Sequence, residues 1–517
     1  MKWFDNAVFY HIYPLGLCGC SHENTAAENP KFDKIKQWTK HAENIGCTAV
    51  YIGPLFESQG HGYETTDYYK VDRRLGDNDD FREYVSFCHS IGVKVVVDGV
   101  FNHVGRDFFA FRDLLSNREQ SVYKDWFCNV DFGGNNGYND GLRYDNWGGY
   151  DLLVKLNLRN PAVRDHLFGA VKMWIDEFDI DGIRLDAADV LDHDFMRALR
   201  QFTDSIKKDF WLMGEVIHGN YSMWANDGML HSVTNYELHK ALYSGHNDKN
   251  YFEIAHNVKR MIQNCGGVKL YTFADNHDVS RIASKLKDRK DLYPLSVLVY
   301  ALPGIPSIYY GSEFAIDGEK QRGDDWNLRP DLTLGEMQDD GLCEWLTMLG
   351  RAKRELPELS DGEFRELYLR NRQFAFARVL GGSSVIAAVN NDDQPATFSF
   401  KLPFDAKNAY DILKSYSVSD EPDSKNEPET PDFSKFDKAI STAVELLDGI
   451  KAIDSEESAQ TAIDIYNTLG EQLCSAQKEC FKKSAAVSLS EDNEIKLQDG
   501  NIEISLPAHS GTLIKTV

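Results

Sequence analysis

At 517 residues, with 42% hydrophobic and 26% charged side chains, the chain is long enough for two or three domains around a large core and too ordinary in composition for a fibrous or wholly disordered protein. Its 56 basic and 81 acidic residues leave a formal charge of −25, the wrong sign for tracking phosphates or an anionic bilayer, so neither nucleic acid nor a membrane surface is expected as a partner. The first residues hold no basic stretch leading into an apolar one, no window reaches the roughly 18 apolar residues of a spanning helix, and the nine cysteines match no zinc spacing, so reduced thiols in a cytoplasmic protein are expected.

From residue 8 to about 310, short β-rich runs alternate with longer helical patterns. The strand candidates are 8–13, 48–52, 93–98, 182–186, 210–215, 232–235, 269–274 and 307–310; helical spacing of apolar residues appears between them, as over 79–91 and 194–208. Eight such units predict a (β/α)8 barrel. The gap after the third strand is too long for one helix, and its Gly, Asn, Asp and aromatic residues predict a small inserted domain over 104–155. The barrel is thus read as 1–103 and 156–356. Beyond it, alternating strands predict a C-terminal antiparallel β-sandwich over 357–416 and 486–517, with hairpin turns at 390–395 and at Asp499-Gly500. An acidic stretch and two heptad-like stripes over 433–483 predict a helical hairpin inserted at 417–485, with no catalytic role.

Catalytic groups of such a barrel gather at the C-terminal ends of the strands. Here those ends are unusually polar: Asp98 to His103 after strand three, Arg184-Leu185-Asp186 on strand four, Glu215 on strand five, and Asp275-Asn276-His277-Asp278 on strand seven. Any one of these residues alone reads equally well as a buried ion pair or a strand-end cap. Together, repulsion and desolvation would raise at least one carboxyl pKa, as a general acid requires. Arg184 lies two residues before Asp186, on the same strand face, where it can hold that carboxylate ionised.

This ordered set resembles the α-amylase family of glycoside hydrolases (family 13) over roughly residues 8–400. The resemblance implies Asp186 as nucleophile, Glu215 as acid/base and Asp278 as the third carboxylate. Arg184 would orient the nucleophile, and Tyr63, Asp98, His103, Lys155, His277, Asp325 and Arg329 would contact sugar. The acid–arginine clamp after strand eight is ambiguous between Asp324 and Asp325. Around His103-Val104-Gly105-Arg106, Val154-Lys155-Leu156-Asn157 and Asn235-Tyr236-Glu237-Leu238 the chain is most similar to neopullulanases and cyclomaltodextrinases, although the large N-terminal domain of those enzymes is not expected before strand one.

The implied activity is retaining hydrolysis of α-1,4-glucosidic bonds in maltodextrins, cyclodextrins or starch-derived oligosaccharides. The alternatives are transfer to a sugar acceptor through the same intermediate and a catalytically dead scaffold. Ala187 after the nucleophile, where α-1,6-specialised members often carry Val, favours α-1,4 linkages. No cofactor is required; a structural calcium would draw on Asn102 or on Asp131, Asn135, Asn136, Asn139 and Asp140. His22, His61 and His246 read as solvated loop histidines.

Overall fold

The computed structural model describes residues 2–27, 29–417 and 493–516. Eight parallel strands form the core: β1 (Phe9–Ile12), β2 (Ala49–Ile52), β3 (Lys94–Gly99), β4 (Gly182–Leu185), β5 (Trp211–Gly214), β6 (Ser232–Val233), β7 (Tyr271–Phe273) and β8 (Ile305–Tyr309). Their hydrogen-bonded order runs β6-β5-β4-β3-β2-β1-β8-β7. A parallel bridge between Thr234 and Tyr271, with Asn235 N donating to Tyr271 O at 2.9 Å, joins the two ends and closes the barrel. All eight strand expectations coincide with these elements.

The strands are nearly all apolar because both faces are buried. Phe9, Ala49, Tyr51, Val96, Trp211, Met213 and Phe273 fill the barrel, with Phe4 and Ala7 plugging its base. Their neighbours Tyr10, Val50, Val95, Ile183 and Leu212 face the surrounding helices. Helix starts are written locally. Asp77 caps Asn78–Ser90, Asn160 followed by Pro161 starts Pro161–Phe178, Asp192 caps His193–Ile206, and Asn235 caps Tyr236–Asn247.

The segment after β3 forms a helix, Phe109–Asn117, and a three-stranded sheet of His103–Val104, Tyr150–Lys155 and Asn146–Trp147. Two antiparallel sheets follow the barrel. One comprises β9 (Glu363–Leu369), β10 (Gln373–Leu380), β11 (Ser383–Asn390), β13 (Ala409–Asp411) and β16 (Ser510–Thr516); the other comprises β12 (Ala396–Lys401), β14 (Glu494–Gln498) and β15 (Asn501–Leu506). Ala375, Ala377, Ile386 and Ala388 of the first pack on Phe398, Ile502 and Ile504 of the second. The turn at Asp499-Gly500, both at positive φ, makes the expected hairpin. The run 390–395 does not. It carries the chain from one sheet to the other, because Asn390 spends its side-chain amide on Gln394 O and Pro507 O, at 3.0 and 2.8 Å. The helical hairpin read over 433–483 lies outside the described residues. Among the described residues, no helix is long and apolar enough to cross a membrane.

Candidate active site at the barrel mouth

Strand periodicity places the chemistry. Side chains alternate in and out, so two residues beyond the inward Val96 and Met213 come Asp98 and Glu215, and two beyond the inward Arg184 comes Asp186. The barrel lining thus changes from apolar to acidic at the C-terminal rim. Ala187 follows at φ 48°, a strained left-handed backbone for a residue with a Cβ, and this aims its N–H at Glu215 Oε2, 3.0 Å away.

Arg184 organises the acids. Its Nη1 donates to Asp98 Oδ1 and to Asp186 Oδ1, each at 2.9 Å, and its Nη2 lies 3.0 Å from Glu215 Oε2. Asp98 also accepts from the Tyr51 and Tyr63 hydroxyls at 2.8 and 3.2 Å, so its oxygens are spent on holding Arg184 and those tyrosines rather than offered to a ligand. Across the mouth, Asp278 Oδ2 lies 3.0 Å from His277 Nε2, and Asp278 Oδ1 accepts from Arg329 Nη2 at 3.2 Å. Tyr63 OH hydrogen-bonds His277 Nε2. Asp275, from the same motif, turns away to accept from Ile282 N and Ser312.

Burial raises the Asp186 carboxyl well above the usual range; Arg184 opposes this, and Glu215, Asp98 and Asp278 reinforce it. Glu215 is raised by burial and by Asp278, against Arg184 and the Ala187 N–H. The two carboxyls therefore retain a shared proton above ordinary carboxyl pH. Asp278 goes the other way: burial would raise it, but His277, Arg329 and Arg184 outweigh that and hold it ionised. Burial lowers His103 to about 4, leaving a neutral imidazole whose Nε2 lies 4.0 Å from Asp186 Oδ2 with no hydrogen-bond partner.

Residues 33–340 match the family model described as the alpha amylase catalytic domain. The chain belongs to the α-amylase family of glycosidases. It is 31% identical over 421 residues to a cyclomaltodextrinase of Thermoanaerobacter pseudethanolicus, covering 76% of this chain and 71% of that one. It is also 31% identical over 438 residues to neopullulanase 2 of Thermoactinomyces vulgaris, covering 78% and 72%. The solved structure of a Nostoc punctiforme debranching enzyme shares the fold across 99% of this chain and 98% of its own, with a TM-score of 0.75 at 22% identity.

For an α-amylase-family chain, several sequence readings needed tertiary structure to settle. Of the two candidate acids, Asp325 is the one brought near Arg329: its Oδ2 lies 3.8 Å from Arg329 Nη2, whereas Asp324 accepts from Trp326 N at 3.0 Å. Lys155 pairs its backbone with His103 across the inserted sheet, but its ammonium forms no ion pair among the described residues, so it is not joined to the carboxylates. The three histidines read as solvated have partners. His246 is fully buried against Leu242 O and Tyr251 OH, His22 stacks on Trp326, and His61 Nε2 lies 3.1 Å from Glu64 Oε1 beside the site. Tyr51 and Glu64 were missed. Only the period-2 register of β2 could have pointed to Tyr51.

The inserted-domain oxygens do not fit calcium. Asp131 is paired with Arg143 and Gly133 N, Asp140 with Arg106 at 2.6 Å, and Asn135 and Asn136 hydrogen-bond Gly141 N, Asn139, Asp140 and Leu142 O. Arg106 and Arg143 already pair with the two acids of this set.

Proposed function

We propose that the protein is a retaining glycoside hydrolase acting on α-1,4-glucosidic bonds of maltodextrins, cyclodextrins or starch-derived oligosaccharides through a covalent glycosyl-enzyme intermediate. The observation that carries this reading is the single Arg184 guanidinium touching both Asp186 and Glu215, two largely buried carboxyls at the ends of adjacent strands. Such a pair supplies the two groups that a double displacement needs. Asp186, oriented by Arg184, attacks the anomeric carbon in its anionic form as Glu215 protonates the departing glycosidic oxygen. Glu215, now a carboxylate, then takes a proton from water, which displaces Asp186. Asp278, His277 and Arg329 form a polar group suited to gripping neighbouring sugar hydroxyls, and the unpartnered His103 Nε2 offers a further contact. The cyclomaltodextrinase and neopullulanase relatives support the substrate class.

Proton NMR of the first-formed product is expected to show the α-anomer. Asp186→Asn and Glu215→Gln should each cost several orders of magnitude in kcat with unchanged circular dichroism. Initial release of the β-anomer would overturn the mechanism. Transfer to a sugar acceptor would proceed through the same intermediate, with an acceptor hydroxyl in place of water. Products longer than the substrate, formed with excess glucose present, would identify it.

A further inference from the structure

In a retaining cleavage the attacked glycosyl unit stays on the nucleophile, and the remainder of that fragment runs toward the non-reducing end of an α-glucan. The other fragment leaves on the side of the acid. Around the closed barrel, β5, which carries Glu215, stands opposite β1 and its neighbours β8 and β2. The loops after β8, β1, β2 and β3 therefore bound the retained side.

Those loops are tied to one another in sequence. Between the β8 and β1 loops, the Trp326 and His22 rings stack with centroids 3.8 Å apart and planes 3° apart. At the foot of the same junction, a Cβ on Gly16 would come within 2.2 Å of Arg329 O, so only glycine permits the approach. Between the β1 and β2 loops, Tyr13 OH hydrogen-bonds His61 O and Asn24 Nδ2 donates to Ser58 O at 2.8 Å. Between the β2 and β3 loops, Gln59 Nε2 donates to Asp107 Oδ2 and Gly105 N to Thr65 O, both at 2.9 Å.

Within this rim lies a polar pair that the proposed chemistry does not use. Glu64 is 2% exposed; one of its oxygens holds His61, and the other is buried without a partner. A buried carboxylate oxygen left open requires a hydrogen-bond donor. The terminal sugar of a chain has a free 4-hydroxyl to donate, whereas an interior sugar has an ether oxygen at that position.

We propose that this rim closes the retained side of the cleft and that Glu64, with His61, recognises the terminal hydroxyl, so that the enzyme takes linear α-glucans by their non-reducing ends. The inference rests on the proposed function and narrows it. Cyclic glucans, which have no end, are the poorer substrates, and cuts inside long chains are disfavoured.

Two maltoheptaoses labelled at the reducing end test this, one with a free non-reducing end and one with that end blocked as its 4,6-O-ethylidene derivative. Chromatography of early products is expected to show the free chain shortened from the unlabelled end and the blocked chain cleaved roughly fiftyfold more slowly. His22→Ala and Trp326→Ala, made separately so that a folding failure in one leaves the other, should each raise the blocked-to-free rate ratio about tenfold. Equal cleavage of the two chains by the parent enzyme, or an unchanged ratio in both folded variants, overturns the inference while leaving the hydrolase reading intact. Absence of hydrolysis on the free chain overturns the proposed function and the inference with it.

Discussion

Arg184 sets the behaviour of three carboxylates from three strands, at 2.9, 2.9 and 3.0 Å, and this governs how activity should respond to pH. Burial raises Glu215 above its ordinary value of 4.5 and raises Asp186 with it. A raised carboxyl keeps its proton to higher pH, so the acid-competent form is lost only as pH climbs through the elevated value. The alkaline limb of kcat/KM should therefore lie clearly above the free-carboxyl range and vanish in Glu215→Gln. Asp278 is held ionised, so it adds no limb within that window. A pH–rate profile checks this; an alkaline limb at ordinary glutamate pH would contradict it. At this scale the sequence was informative, because Asp186, Glu215 and Asp278 are short-range strand-end features. It did not reveal that Asp98 serves Arg184, since that depends on which inward residue of β3 lies level with β4.

At the scale of elements, the opposite ends of the same strands carry stability rather than chemistry. Asp181, just before β4, accepts from Val95 N at 3.0 Å, His89 Nε2 at 2.7 Å and Lys94 Nζ at 3.0 Å, stitching β3 and β4 to the helix before them. Burial would raise its carboxyl, but His89, Lys207, Val95 N–H and Lys94 lower it from 3.8 to about 2. A folded value depressed in this way stabilises the protein above the unfolded value, and the contribution is lost as pH falls from about 3.8 through about 2. At roughly 1.4 kcal/mol per unit, this amounts to about 2 kcal/mol at neutral pH. Asp181→Asn should lower thermal stability at pH 7 and flatten its decline between these pH values. Unchanged melting temperatures across that range would show that the network contributes nothing.

For the whole molecule, the residues gathered at the mouth come from between Tyr13 and Arg329, while the C-terminal sheets pack on the far side of the final barrel helices. The chain on either side of 418–492 meets again in the β-domain, where Lys414 Nζ donates to Asn493 O at 2.6 Å. Replacing 418–492 with a short Gly/Ser linker should leave kcat on a short maltodextrin within a few-fold of the parent. A variant that keeps its circular dichroism but loses that activity would place the segment in the active site.

The sequence alone determined the alternation of eight strands with helices, the order of the acidic strand ends and hence the α-amylase kinship, because these are written in local periodicity and in spacings of two to four residues. Tertiary structure decided the rest. It brought Asp325 rather than Asp324 near Arg329, left Lys155 away from the carboxylates, gave His22 and His61 their partners, and turned 390–395 into a crossing between sheets. Each of these depends on which segments, often hundreds of residues apart, lie side by side once the barrel has closed; His22 and Trp326, stacked at 3.8 Å, are the clearest instance. Nothing within either residue's own neighbourhood in the chain specifies the other.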